Sequence, residues 1–458
     1  MFKRKAYAKL LEWKNSKKKK ALCIVGARQI GKTTLVRTFA KAEYKYFLEL
    51  NFLLEHEASK IFSGSLDAKT LIANLTAYAR KPLEVGKTLI LLDEIQACPE
   101  ARTAIKFLVE DGSFDYIETG SLLGVNYQEV QSYPVGYEEI YHMYPMDFEE
   151  FAWAQGVQQE TLTYLENCWN NCVPVSEAIH QVMLKLFYSY IVIGGMPAVV
   201  SVFVDTHDIA RVMEEQKSIL ELYRLDIAKY ADSSDRLKIK AIFDSIPGQL
   251  NEKNRRFVLN KIDQHGRQNR YQRSFLWLAA AGVALPCYNV ELPQVPLALN
   301  AKHNLFKLFQ SDCGLLCASS MANIQFAILQ GDISVNLGSV LENVIAQEIA
   351  AKNFALHYFD SKKYGELDFV VQNGLEIDLL EIKSGHDYKK HAALNKVASV
   401  DAWSFRKKYV FCKGNIECEN DVVYMPLYMI MFYRPEQGPS NSIYELDLSA
   451  LQLPRTEA

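Results

Sequence analysis

The sequence has no Cys-x-x-Cys pair, no histidine at zinc-site spacing from a cysteine, and no excess of either charge. Its nine cysteines (Cys23, Cys98, Cys168, Cys172, Cys287, Cys313, Cys317, Cys412 and Cys418) are odd in number and widely scattered. That argues for free thiols in a reducing compartment rather than a disulfide framework. Cys168/Cys172 and Cys313/Cys317 are spaced for one helix face but lack the other ligands of a structural metal site. A formal net charge of −3 excludes a protein that coats nucleic acid, so any polyanion site must be local. The start, MFKRKAYAKLLEWKNSKKKK, lacks the apolar core and cleavage site of an export signal, so a cytoplasmic protein is expected. One run, LFYSYIVIGGMPAVVSVFV (186–204), is long enough to span a bilayer. Gly194, Gly195 and Pro197 interrupt it, so it reads as a buried helix–turn–helix with no membrane partner.

What is present begins with ALCIVGARQIGKTTLVRTFA (21–40). A short apolar strand runs into Gly26-Ala27-Arg28-Gln29-Ile30-Gly31-Lys32-Thr33-Thr34, and an amphipathic helix follows. This is G-x-x-x-x-G-K-[ST] in the strand-to-helix setting that the motif requires. The two glycines let successive backbone N–H groups turn inward as an anion nest, and the helix N-terminus adds its dipole. Lys32 would neutralise the β- and γ-phosphates, and the Thr33 hydroxyl would ligate Mg²⁺. TLILLDEIQ (88–96) is a buried strand ending in two acids: Asp93 to hold Mg²⁺ and Glu94 to polarise water. A strand over 114–121 ends in Thr119 and Ser121, either of which could sense the γ-phosphate or merely cap a turn. Strands over 45–52 and 141–148 complete an expected five-stranded parallel sheet. No guanine-reading motif is visible, so ATP is the expected nucleotide.

GARQIGKTTLV, LLDEIQACP, ETGS and MYPMDFEEF, in that order, resemble a large family of bacterial and archaeal AAA-type P-loop ATPases with a C-terminal domain of unknown function. The likeness continues through YIVIGGMPAVV, YRLDIAKY, FKLFQSDCGLL, LENVIAQEIAAK and LDFVV…LEIKSG, over nearly the whole chain. It implies an α/β protein: an AAA-type ATPase domain (1–155), a helical lid or linker (156–235), a winged-helix-like domain (236–320) and a PD-(D/E)XK nuclease-like domain (321–458). Relatives often carry a Gly-Arg pair ahead of the PMDFEEF-like segment, a source of an arginine finger; here Gly136-Tyr137 stands instead. Arg28 and Arg102 are nearby in sequence, or an oligomer or protein partner would supply the charge.

In the middle third, Lys253, Arg255, Arg256, Lys261, Arg267, Arg270 and Arg273 face only Glu252 and Asp263. They make either phosphate contacts to DNA or RNA, or a solvated face, or a docking surface for the acidic ATPase domain. In GELDFVVQNGLEIDLLEIKSG (365–385), Asn373-Gly374 marks a hairpin. Alternation then puts Glu366, Asp368, Glu381 and Lys383 on one face, with Glu376 and Asp378 on the other. A turn centred on Asn373-Gly374 sets Glu366 opposite Glu381, and a longer one sets Asp368 there. Asp368 with Glu381-Ile382-Lys383 resembles the D…E-x-K set of nucleases, implying Mg²⁺ or Mn²⁺ held by the acids and Lys383 at the phosphate. Glu342 matches the helix glutamate of archaeal junction-resolving nucleases as a further metal ligand, although Ser339 and Glu342 also spell a capping box. Glu348, inside an apolar stripe, needs a partner and is a second candidate for that site. The expected function is thus an ATPase coupled to a nucleic-acid-associated nuclease-like domain. The alternative is an ATP-dependent switch or partner remodeller whose C-terminal domain only binds.

Overall fold

The computed structural model describes residues 2–17, 19–121, 134–252, 255–263, 268–320, 325–329, 337–385 and 387–436. Helix α1 (Ala6–Lys14) leads into β1 (Ala21–Val25), α2 (Lys32–Glu43), β2 (Tyr46–Asn51), α3 (Ala68–Ala79), β3 (Thr88–Asp93), α4 (Pro99–Asp111), β4 (Asp115–Gly120) and β5 (Glu138–His142). The five strands form one parallel sheet in the order β2-β3-β4-β1-β5. Every residue of β3 (TLILLD) is buried, as a central parallel strand with both faces covered must be. The fifth strand lies earlier than the expected 141–148. After His142 the chain leaves the sheet, and Asp147 begins α5 (Phe148–Ala154) with a capping box: its carboxylate accepts from Glu150 N at 2.9 Å. MDFEEF is thus a helix start, because the cap chemistry competes with strand extension.

Helices α6 (Gln159–Asn171), α7 (Glu177–Ile193), α8 (Pro197–Thr206) and α9 (Ile209–Tyr230) follow. The long apolar run is α7, a turn, and α8 with Pro197 in its first turn. Among the described residues no helix is long and apolar enough to cross a membrane.

Next come α10 (Arg236–Leu250), α11 (Gln268–Ala280), β6 (Ala284–Val290), α12 (Leu297–Asn300), β7 (Ala301–Gln310), α13 (Cys313–Ser320) and α14 (Gln325–Leu329). The last part contains α15 (Gly338–Ala351), β8 (His357–Ser361), β9 (Gly365–Leu367), β10 (Phe369–Asn373), β11 (Glu376–Ile382), α16 (Ala392–Ala398), β12 (Lys407–Cys412), β13 (Glu417–Glu419) and β14 (Val422–Pro426). Strands β6 and β7 pair antiparallel, and β6 also pairs parallel with β8, giving a sheet β7-β6-β8-β9 that spans residue 320. A second sheet runs β10-β11-β12-β14-β13. Asp368 is the bend between β9 in one sheet and β10 in the other.

One apolar core runs through all these regions, from Leu10, Leu22 and Ile24 through Tyr190 and Leu308 to Val344 and Phe411. The expectation of free thiols throughout is corrected: Cys172, at the end of α6, is bonded to Cys418 in β13, 246 residues away in sequence. Tertiary folding brings these two together, and local spacing carries no sign of it. The other seven cysteines are buried free thiols.

Candidate functional site

The phosphate cradle is built by the turn from β1 into α2. Gly26 has φ of +151°, and a Cβ there would stand 2.2 Å from the Met143 carbonyl oxygen, so no side chain fits. Gln29 and Gly31 are also left-handed, with φ of 64° and 90°, which curls the loop. Lys32 is buried and donates to the carbonyls of Gly26 at 2.8 Å and Ala27 at 2.7 Å. Burial pulls its ammonium down to about 8, against the opposing pull of Glu94 and Asp93. Ile30 serves through its carbonyl, which accepts from Arg4 at 2.8 Å. Gln29 and Thr34 are exposed at the rim.

Thr33 Oγ1 donates to Asp93 Oδ1 at 2.9 Å, and Asn51 Nδ2 holds Asp93 Oδ2 at 2.8 Å. Thr119 also donates to Asp93 Oδ1. A hydroxyl beside a fixed carboxylate, all oxygen, is a donor set that fits Mg²⁺. Next in the chain, Glu94 takes a left-handed conformation (φ 56°) that turns it out of β3. Its Oε2 accepts from Gln96 at 2.5 Å and faces Ser121 Oγ at 3.5 Å. Of the two hydroxyls considered as phosphate sensors, Thr119 is committed to Asp93, whereas Ser121 stands beside Glu94 and accepts from Arg28 Nε at 3.2 Å. Arg28 also pairs with Asp226 of α9, and Tyr223 of α9 donates to the Arg28 carbonyl at 3.1 Å. Arg102 is elsewhere, ion-paired to Glu138 at 2.8 Å, and Tyr137 donates to Glu110 at 2.5 Å on the surface. Asn51, at the end of the strand FLELN, is a site residue that no motif announces; Tyr223 and Asp226 lie inside YRLDIAKY, a stretch of the likeness to which no site role was given.

Among the described residues, the set of three metal-type groups with ligand atoms within 4.8 Å is Cys23, Glu118 and Glu138, deep in this sheet. Arg102 already lies against it, and burial pushes both the Glu118 carboxyl and the Cys23 thiol well above their usual ranges.

Residues 18–152 match the family model of the AAA domain. The P-loop and its parallel sheet thus lie within an AAA-type domain. Residues 184–325 and 337–430 match two domains of unknown function, DUF8612 and DUF4143. A comparison with curated proteins finds no match. Solved structures similar to the chain include a Walker-type ATPase of Pyrococcus abyssi (14% identity, 70% of this chain and 96% of that one, TM-score 0.40). Others are the ORC1 protein of Aeropyrum pernix in complex with DNA (11%, 72% and 93%, TM-score 0.29) and a RuvB variant of Thermotoga maritima (14%, 62% and 89%, TM-score 0.28).

Beyond the AAA domain, the C-terminal acids gather on one face as alternation requires. The turn is Gly374-Leu375, since Asn373 pairs with Glu376 and Phe369 with Leu380; this is the register that sets Asp368 against Glu381. Asp378 lies on the other face, held by Arg406 at 2.5 Å and by Tyr433 at 2.8 Å. Asp368 Oδ2 accepts from Ile382 N at 2.8 Å, and Lys383 Nζ holds Glu381 Oε1 at 2.7 Å. The other Glu381 oxygen is buried without a partner, and burial, then the Asp368 charge, raises that carboxyl to about 7.

Glu342 is no capping residue: α15 has Leu337 at its N-cap and no side-chain cap. It is held instead by Lys307, at 3.3 Å, and by Arg255. The wholly buried Lys307 also binds Glu366 at 2.6 Å, and Arg255 lies 3.8 Å from Asp368. Two protein cations therefore stand where the resemblance implies a metal. Among the described residues, Glu342, Asp368 and Glu381 do not bring three ligand atoms within 4.8 Å of one another; in this structure Lys307 and Arg255 balance Glu342, Glu366 and Asp368 instead. Lys307, hidden inside the apolar strand LFKLF, was missed; a lone lysine in such a run was its signal.

Of the basic cluster, Arg255 pairs with Glu342 and Arg256 with Asp360, while Lys261 pairs with Glu252 on the surface. Arg270 and Arg273 are exposed on α11, and Lys253 and Arg267 lie outside the described residues. Glu348 is corrected too. It points away from these acids, accepting from Phe148 N at 2.7 Å and from Lys352 at 3.0 Å.

Proposed function

We propose that this protein binds and hydrolyses ATP with Mg²⁺, and that the regions after the AAA domain transmit its nucleotide state rather than cut nucleic acid. The observation that carries the ATPase reading is the junction of Thr33, Asp93 and Asn51 beneath a buried Lys32. Thr33 and Asp93 would hold Mg²⁺, which neutralises charge on the β- and γ-phosphates. Lys32 would exchange its loop carbonyls for phosphate oxygens. Glu94 would take the proton of a water whose oxygen bonds to the γ-phosphorus as the bond to the β,γ-bridging oxygen breaks and ADP leaves. The occupation of the C-terminal acids by Lys307 and Arg255 supports the transmitting role.

A second reading, a nuclease of the PD-(D/E)XK kind beside a winged-helix-like domain, draws support from one feature. Asp368, Glu381 and Lys383 share a face, and one Glu381 oxygen is unpartnered.

The test is nucleotide binding and Mg²⁺-dependent phosphate release, with duplex, branched and single-stranded DNA and RNA incubated in parallel. Lys32→Ala should lose binding and turnover. Glu94→Gln should bind ATP but turn it over about 100-fold more slowly, at the lower end of what positioned acid–base groups contribute. Asp368→Ala and Lys383→Ala should hydrolyse ATP normally. Full turnover by Lys32→Ala would remove the ATPase reading, and cleavage that Asp368→Ala abolishes would establish the second reading.

A further inference from the structure

An ATPase site needs a cation facing the phosphoryl group as it transfers, and the Gly136-Tyr137 segment supplies none. Three arginines of the first 155 residues are buried or half-buried; Arg37, on α2 and paired with Glu49 of β2, and Arg80, after α3, are exposed. Arg4 is tied to Glu150 at 3.0 Å and to the Ile30 carbonyl, behind the cradle. Arg102 is tied to Glu138 under the sheet. Arg28 alone of the three rises from the cradle itself and reaches Ser121 at the carboxyl end of β4. Ser121 in turn faces Glu94. The guanidinium therefore lies between the phosphate cradle and the water-activating acid, where charge spreads over the equatorial oxygens in phosphoryl transfer.

Its other arm is held by Asp226, a carboxylate of α9 that is 14% exposed. Tyr223, one turn earlier on α9, fixes the backbone below it. The same helix carries Gln216, whose amide holds the Val192 and Ile193 carbonyls at the end of α7, at 2.8 and 3.0 Å. α9 thus joins the nucleotide loop to the α7–α8 turn. A γ-phosphate and the Asp226 carboxylate would compete for one fork of N–H donors.

We infer that Arg28 supplies the transition-state cation in cis, and that Asp226 is the residue that positions it and couples α9 to the γ-phosphate. This rests on the ATPase reading above. In the ground state Asp226 aims the guanidinium across the cradle. As the γ-phosphorus gains its bond to water oxygen and loses its bond to ADP, Arg28 donates to the oxygens that carry the excess charge. Release of phosphate returns the fork to Asp226.

The experiment compares wild type, Arg28→Ala, Arg28→Lys, Asp226→Asn and Asp226→Glu in the full chain. Four quantities are read: kcat, KM for ATP, affinity for ADP, and affinity for ADP with aluminium fluoride as a probe of the transferring geometry. Arg28→Ala should lower kcat by about 10³-fold, the lower end of what a catalytic arginine contributes, while ADP affinity stays within twofold. Its preference for the fluoride complex over ADP should vanish, and Arg28→Lys should restore only part, because a point charge cannot fork. Asp226→Asn should lower kcat about tenfold with KM little changed, and Asp226→Glu should recover most of it. A merely structural role would lower ADP affinity along with turnover. Arg28→Ala retaining kcat within threefold, or losing ADP binding altogether, overturns the inference while leaving the ATPase reading intact. No Mg²⁺-dependent turnover by wild type overturns both.

Discussion

Asp312 is a carboxylate with no access to solvent that accepts backbone N–H groups from both sides. Gly195 donates to Oδ2 at 2.6 Å and Leu315 to Oδ1 at 2.9 Å. Through it, the DCG start of α13 clips the GGMP turn between α7 and α8. Burial raises its carboxyl from 3.8 to about 6, although the N–H groups pull the other way. The unfolded chain therefore ionises Asp312 first. Between about pH 4 and pH 6 folding keeps a proton that the unfolded state has lost, so stability from this group falls as pH rises through that window, then levels off. Denaturant titrations at pH 4, 5, 6 and 7 should show wild type losing about 3 kcal/mol relative to Asp312→Asn over that range, because each tenfold difference in proton affinity between the folded and unfolded chain is worth roughly 1.4 kcal/mol. A parallel pH profile for the two proteins would mean that Asp312 does not titrate in this way. At this scale the nucleotide residues were legible in sequence, since Gly26, Lys32 and Thr33 are fixed by one local loop. The acids at 366–383 were legible only as a face. Register depended on a turn at Gly374-Leu375, and the cations that neutralise them arrive from residues 255 and 307.

At the scale of elements, the turn between α11 and β6 rests directly on the nucleotide loop. Gly282 has φ of +72°, and a Cβ there would stand 2.8 Å from the Ala27 backbone nitrogen. Backbone cannot yield as a flexible side chain can, and left-handed φ adds strain for any other residue. Gly282→Ala should thus push on the cradle as well as on its own turn. Expected are a loss of about 1–3 kcal/mol in stability, the range for overpacking, and a several-fold weaker affinity for ATP. Wild-type affinity in a folded Gly282→Ala protein would show that the cradle tolerates the displacement. The contact of Gly282 with Ala27 joins residues some 255 positions apart, which no local pattern announces. Periodicity located most strands of the first sheet for the same reason that it missed this contact: it reports which face is apolar, not which distant backbone lies against it. The shifted fifth strand has a similar cause, because Asp147 and Glu150 cap a helix where an extended run was expected.

The molecule as a whole is joined through α15 and β7. Six residues separate Glu342 from Glu348, about 9 Å along a helix. The first faces Lys307 and Arg255, and the second accepts the Phe148 N–H at the start of α5 in the AAA domain. Lys352, one turn later, donates to the Ile430 carbonyl at 2.9 Å. A single buried helix therefore touches the AAA domain at one end and the acidic face at the other. Lys307 is the charge on which that face depends, since it is wholly enclosed between Glu342 and Glu366, with its Nζ 4.9 Å from the Tyr358 ring centroid. Removing one partner of a buried ion pair leaves the other charge uncompensated, which costs about 3–5 kcal/mol. Lys307→Met should destabilise the protein by that amount in equilibrium unfolding. Adding Glu342→Gln should recover a large part, because the stranded carboxylate is then gone, and the departure from additivity measures the pair. Were a metal the natural occupant instead, Lys307→Met would leave the acids free to take one, and millimolar Mg²⁺ or Mn²⁺ would restore the stability lost. Restoration by the ion would show these acids to be ligands; stability unchanged by it, with recovery only through Glu342→Gln, is the result that a structural ion-pair network requires.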